Sequence, residues 1–118
     1  ETDNAIYIPQ QSYQVSQGKT LEDLEVFIRN TVKPGGTFSF VYTIKTLSAP
    51  PGMQLEMVTN KIDWVKGEIE LQSGSTYKDI VLFNTQNLVL GKYKFEATVS
   101  CVAGCTITES KQFIVDIS

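Results

Sequence analysis

Between Gly91 and Cys101, apolar and polar residues alternate without a break. Tyr93, Phe95, Ala97, Val99 and Cys101 fall on one parity, and Lys92, Lys94, Glu96, Thr98 and Ser100 on the other. Successive side chains of an extended chain point to opposite faces, so the pattern predicts a strand with one buried and one wet face. Thr37 to Ile44 alternates in the same way, with Phe38, Phe40, Tyr42 and Ile44 inward, Ser39 and Thr43 outward, and Val41 a mild exception. A last strand is expected over Thr106 to Ile117, with Phe113, Val115 and Ile117 inward. Glu109 and Lys111 share the parity of Phe113, so either a bulge resets the register there or the polar tip leaves the sheet. Val102-Ala103-Gly104 reads as a three-residue hairpin loop before that strand, with Gly104 available for a left-handed conformation.

Further strands are expected at Gln54–Val58, Lys61–Val65, Glu68–Gln72 and Tyr77–Asn84. Ala5–Ile8 and Tyr13–Ser16 read as two short pieces around Pro9, the form of an edge strand that crosses between sheets. Thr20 to Arg29 fits a strand through Leu24, Val26 and Ile28, and also a short helix through Leu21, Leu24 and Ile28 with Thr20 as its cap. Its β-branched residues favour the strand for the second half. Lys33-Pro34-Gly35-Gly36 and Ser48-Ala49-Pro50-Pro51-Gly52 are turn chemistry. The expected fold is all-β, an immunoglobulin-like β-sandwich of two antiparallel sheets with about seven to nine strands and at most one short helix. Short, unequal strands argue against a closed barrel.

A length of 118 residues fits one domain spanning residues 1–118. With 42% apolar and 19% charged residues, the chain has the balance of a globular protein. Its net charge of −3 and scattered Lys and Arg offer no stripe to neutralise a phosphate backbone, so nucleic acid is not an expected partner. No apolar run reaches the ~20 residues of a membrane helix. The opening Glu1-Thr2-Asp3-Asn4 fits an exported chain whose signal peptide has been removed, or a chain trimmed to one domain.

The two cysteines, Cys101 and Cys105, enclose three residues. Structural zinc wants four ligands, and the chain has no histidine. A thioredoxin-type pair is separated by two residues. A disulfide and two free thiols remain, and the hairpin between the cysteines favours the disulfide. Closing so small a ring stabilises by only about 2 kcal/mol in the chain-entropy model. Its larger implication is an oxidising compartment, extracellular or at the cell surface.

The absence of histidine excludes Ser-His-Asp and Cys-His machinery. Glu68 and Glu70 would share one strand face about 7 Å apart, a separation a glycosidase could use, yet a solvated strand face explains them as well. Asp3, Asp23, Asp63, Asp79 and Asp116 are isolated in sequence and supply no calcium loop. Trp64 reads as core rather than as a sugar platform. Tyr7, Tyr13 and Tyr77 have no clear parity and are the candidates for a binding surface. No catalytic residue, metal ligand or cofactor is expected.

Ala49-Pro50-Pro51-Gly52-Met53-Gln54-Leu55, Ile62-Asp63-Trp64, Gly91-Lys92-Tyr93-Lys94-Phe95-Glu96-Ala97-Thr98-Val99 and Phe113-Ile114-Val115 resemble the Ig-like and dystroglycan-type cadherin-like modules. The resemblance covers roughly residues 37–118. It implies an extracellular spacer or adhesion module, often in tandem, with no catalytic residues. The expected function is therefore a non-catalytic structural or adhesion module, either a tandem spacer or a repeating subunit of a surface filament. Its partners would be neighbouring domains or subunits, engaged through the N-terminal edge strand Ala5–Ser16. The alternative is a carbohydrate-binding module of a secreted enzyme or adhesin, with a glycan as ligand.

Overall fold

The computed structural model describes residues 5–30, 36–62, 64–103 and 108–118, with backbone alone for 64–67. Among the described residues, eight strands form two sheets. In the first, β1 (Ile6–Tyr7) and β6 (Thr76–Asn84) flank β3 (Thr20–Arg29), all antiparallel. In the second the order is β2 (Ser12–Val15), β8 (Thr108–Ile117), β7 (Gly91–Ala103), β4 (Thr37–Ser48), β5 (Trp64–Gln72). One pairing departs from the expected antiparallel sheets, because β2 runs parallel to β8. The two N-terminal pieces thus join different sheets across Pro9, as their split pattern predicts.

The inward parities meet in one core. Phe38, Phe40, Tyr42 and Ile44 of β4 pack with Tyr93, Phe95, Ala97 and Val99 of β7, Phe113, Val115 and Ile117 of β8, and Leu24, Val26 and Ile28 of β3. Phe83, Phe95 and Phe113 form a ring stack with centroids 5.4 Å apart at each step. At the start of β7 the buried Tyr93 hydroxyl donates to the Val89 carbonyl at 2.6 Å. That is the tyrosine corner of immunoglobulin-like sandwiches, which closes the connection between two strands of opposite sheets. Gly91 beside it has φ 134°, and a Cβ there would lie 2.7 Å from Pro50 Cγ. Only glycine fits where the β4 exit crosses that corner.

Four expectations need correction. The strand expected at Gln54–Val58 and the first half of the one expected at Lys61–Val65 give way to α1 (Leu55–Ile62), whose Val58 and Ile62 are buried one turn apart, while Trp64 and Val65 open β5. Glu56 in its first turn and Lys61 in its last complement the helix dipole. Thr20 to Arg29 is strand throughout, with a register shift between Leu21 and Leu24 that exposes both Glu22 and Asp23. The hairpin expected at Val102 is strand through Ala103, and Gly104 to Ile107 lie outside the described residues. On β8, Lys111 pairs Ala97 and Glu109 pairs Val99 without a register shift, so the strand neither bulges nor leaves the sheet.

The molecule is a rod of 48 × 23 × 22 Å. Glu109 Oε1 accepts from the Ala5 and Ile6 N–H groups at 2.8 and 3.3 Å, holding the N-terminal strand towards one end of the sandwich. At the other end, Ser118 exchanges backbone bonds with Val15 and Gln17 at 3.0 and 2.9 Å. Glu109 and Ser118 are separated by the length of β8, about 30 Å at ~3.3 Å per residue. Ala5, the first described residue, and Ser118 are therefore well separated along the strands of the rod.

Candidate functional site

The outer faces of the two sheets differ in chemistry. On the five-stranded sheet, β7 turns Lys92, Lys94, Glu96, Thr98 and Ser100 outward, and Thr98 bonds Ser110 across the ladder at 2.9 Å. On the three-stranded sheet, β6 turns Thr76, Lys78, Ile80, Leu82 and Asn84 outward. Ile80 and Leu82 are 53% and 59% exposed, and Tyr7 of β1 is 53% exposed on the same face. Large apolar side chains on the solvent parity of a strand make this face the candidate interaction surface.

The register lays the face out in rows. Tyr7 opposes Phe27, and Phe27 opposes Lys78. The Tyr7 and Phe27 rings lie 6.0 Å apart at 44°, and Lys78 Nζ stands 5.8 Å from the Phe27 centroid. Lys78 also reaches Glu25 at 3.2 Å, an exposed pair worth little by itself. Tyr7, Phe27, Arg29 and Thr76 line a groove of about 410 Å³ towards the Ala5 end. A second recess at that end, about 360 Å³, is lined by Gly36, Thr37, Gln72 and Ser73.

A polar contact between β4 and β6 is buried inside the sandwich. Asp79 takes the inward parity of β6, opposite Val26, and faces the fully buried Tyr42. Neither the Tyr42 hydroxyl nor Asp79 Oδ2 has a hydrogen-bond partner of good geometry. Burial first, and then the Asp79 carboxylate, push the Tyr42 phenol well above its ordinary value. Burial also raises Tyr13 and Tyr93. An inward carboxylate on β6, a strand with one ladder partner, discourages a further strand from adding there.

The residues singled out from the sequence scatter. Tyr7 is exposed on the apolar face, but Tyr13 is buried against Phe113 with rings 6.2 Å apart. Tyr77 points inward, half-buried between Phe40 and Tyr42. Tyr13 and Tyr77 are thus corrected from surface candidates to core, because each fills space beneath a sheet. Glu68 and Glu70 lie exposed on the edge strand β5. Cys101 is half-buried opposite Phe40, and Cys105 lies outside the described residues, as does the Trp64 side chain. Asp23 and Asp79 fall on β3 and β6, Asp116 on β8, and Asp3 and Asp63 lie outside the described residues. Phe27, Ile80, Leu82 and Glu109 escaped the sequence reading. Thr76 to Asn84 gives no clear signal for Ile80 and Leu82, since they share the parity of Lys78 while Asp79 shares that of Phe83.

Among the described residues, no helix is long and apolar enough to cross a membrane. No family model and no curated protein sequence matches the chain. Solved structures do. A Calx CBD1 domain in its apo form is similar at a TM-score of 0.55 and 12% identity, with 96% of each chain covered. A superoxide reductase (neelaredoxin) from Ignicoccus hospitalis is similar at 0.51 and 7% identity, covering 98% of this chain and 81% of that one. At such identities the likeness shows the fold alone: an all-β, immunoglobulin-like sandwich of two sheets with one short helix.

Proposed function

We propose that this chain is a non-catalytic structural module of an extracellular protein, a spacer joined end to end with other domains or repeated along a filament. The observation that carries the reading is the separation of Ala5 from Ser118, about 30 Å along the strands of a 48 Å rod. Modules so connected add length with each copy. A tyrosine corner, satisfied ends and a dense aromatic core supply the stiffness that a spacer needs.

Two copies fused from Ser118 to Glu1 test this by small-angle scattering. The longest dimension should approach twice that of one copy, and a compact, folded-back pair would overturn the reading. In a filament version of the proposal, the N-terminal segment would leave its own sheets and complete a neighbour's. Against that version, β1 and β2 pair within the chain, and Ala5, Ile6, Ile8 and Tyr13 are core residues.

The extracellular assignment rests on a Cys101–Cys105 disulfide, which is supported by the lack of a free thiol among the described cysteines. Alkylation of the denatured, unreduced chain followed by mass measurement decides it: two added alkyl groups would remove this support. The carbohydrate-binding alternative retains one exposed tyrosine, Tyr7, beside the groove with Phe27 and Arg29. Retention on immobilised glycans, lost in Tyr7→Ala, would replace the spacer reading.

A further inference from the structure

We propose that the outer face of the three-stranded sheet is a self-association surface that pairs with the same face of a second copy of this chain. Three observations lead there. The face holds Tyr7, Phe27, Ile80 and Leu82, whereas the outer face of β7 carries Lys92, Lys94 and Glu96. Its charges are segregated along the strands. Arg29 lies towards the Ala5 end, Lys78 and Glu25 pair with each other in the middle, and Glu22 and Asp23 lie towards the other end. A two-fold axis lying between the faces and perpendicular to the strands, near Phe27 and Glu25, sets Arg29 of each copy over Glu22 and Asp23 of its partner. The same axis keeps Tyr7, Phe27 and Ile80 near the centre. This is the self-complementarity that an isologous contact requires.

The register shift between Leu21 and Leu24 contributes to the pattern. It brings Glu22 and Asp23 both to the surface opposite Leu82, where a regular strand would expose one of them. The area sets the strength. Nine residues of β3 and β6, with β1 beside them, span roughly 30 × 15 Å, or about 450 Å² per copy, against ~800 Å² in a standard interface. The pairing is accordingly weak between isolated copies. It gains strength where copies are linked in series and several faces engage together. Side-by-side pairing of this kind is independent of end-to-end spacing, so either proposal can fail without the other.

The test is sedimentation equilibrium from micromolar to millimolar concentration, at low and high salt. The average mass should rise from 13.1 kDa towards twice that value, with the rise reduced by salt. Ile80→Lys with Leu82→Lys should abolish the rise. Both sites are more than half exposed, so the melting temperature should stay near that of the parent chain. A charge exchange identifies the partner. A copy with Arg29→Glu and Lys78→Glu, and a copy with Glu22→Lys and Glu25→Lys, should each stay monomeric alone and pair when mixed. Constant monomer mass in the parent chain overturns the proposal. So does association that the lysine variant leaves unchanged, or a mixture that fails to pair.

Discussion

Tyr42, Tyr13 and Tyr93 show how burial converts single side chains into determinants of stability. All three phenols are raised from 10.0 in the folded chain, chiefly by burial. A raised folded value favours the protonated form, so the associated stability is fully present below pH ~10 and is lost as pH rises above it. Denaturant midpoints should hold to about pH 9 and fall beyond pH ~10. Absorbance at 295 nm should show these three tyrosines ionising with unfolding. A midpoint unchanged to pH 12 would contradict the burial argument. Thr85 offers the opposite case: fully buried, it donates to the Lys19 carbonyl at 2.7 Å and accepts from Gly18 N–H at 2.9 Å. A satisfied hydroxyl ties two turns together, whereas the Tyr42 and Asp79 oxygens retain a desolvation cost.

At the scale of elements, strict alternation was a reliable guide where it ran long. β4 and β7 carry their inward residues as the parity of Phe38 to Ile44 and Tyr93 to Val99 indicates. It failed at Leu55 to Ile62, where Leu55 and Met57 alternate like a strand but lie exposed on a helix. Eight residues hold too few periods to separate 2 from 3.6, and the Val58–Ile62 spacing became decisive only once a groove existed to bury it. Glu109 belongs to this scale as well. Its carboxylate accepts two N–H groups of the β1 segment, a role no local pattern on β8 announces. Glu109→Gln should weaken these charge-assisted bonds and cost about 1 kcal/mol. Amide exchange at Ala5, Ile6 and Arg29 should quicken, while the β7 amides keep their protection. Unchanged exchange at those three positions would deny Glu109 the anchoring role.

For the whole molecule, the pairings that close the sandwich join distant parts of the chain. β2 pairs β8 across about 100 residues, and β3 pairs β6 across about 50. Such topologies fold slowly because loop closure precedes the contacts that offset it. Stopped-flow refolding followed by Tyr and Trp fluorescence should therefore lie in the millisecond-to-second range, and microsecond folding would contradict the topology. The same closure produces the rod, with β8 running from the contact that holds Ala5 to the end that holds Ser118.

What the amino-acid sequence determined by itself was the class of structure and the identity of most of the core. Burial on one face of a strand needs an apolar residue at every second position, and that requirement is written locally in β4, β7 and β8. Tertiary structure decided which outward face is apolar. Ile80 and Leu82 sit in a continuous run with Val81 and Phe83, and such a run does not say which parity faces the core. Pairing with β3 over the aromatic core turns Val81 and Phe83 inward. Ile80 and Leu82 are left beside Phe27 and Tyr7, residues some 50 to 75 positions away along the chain, and only the folded sheet brings them together.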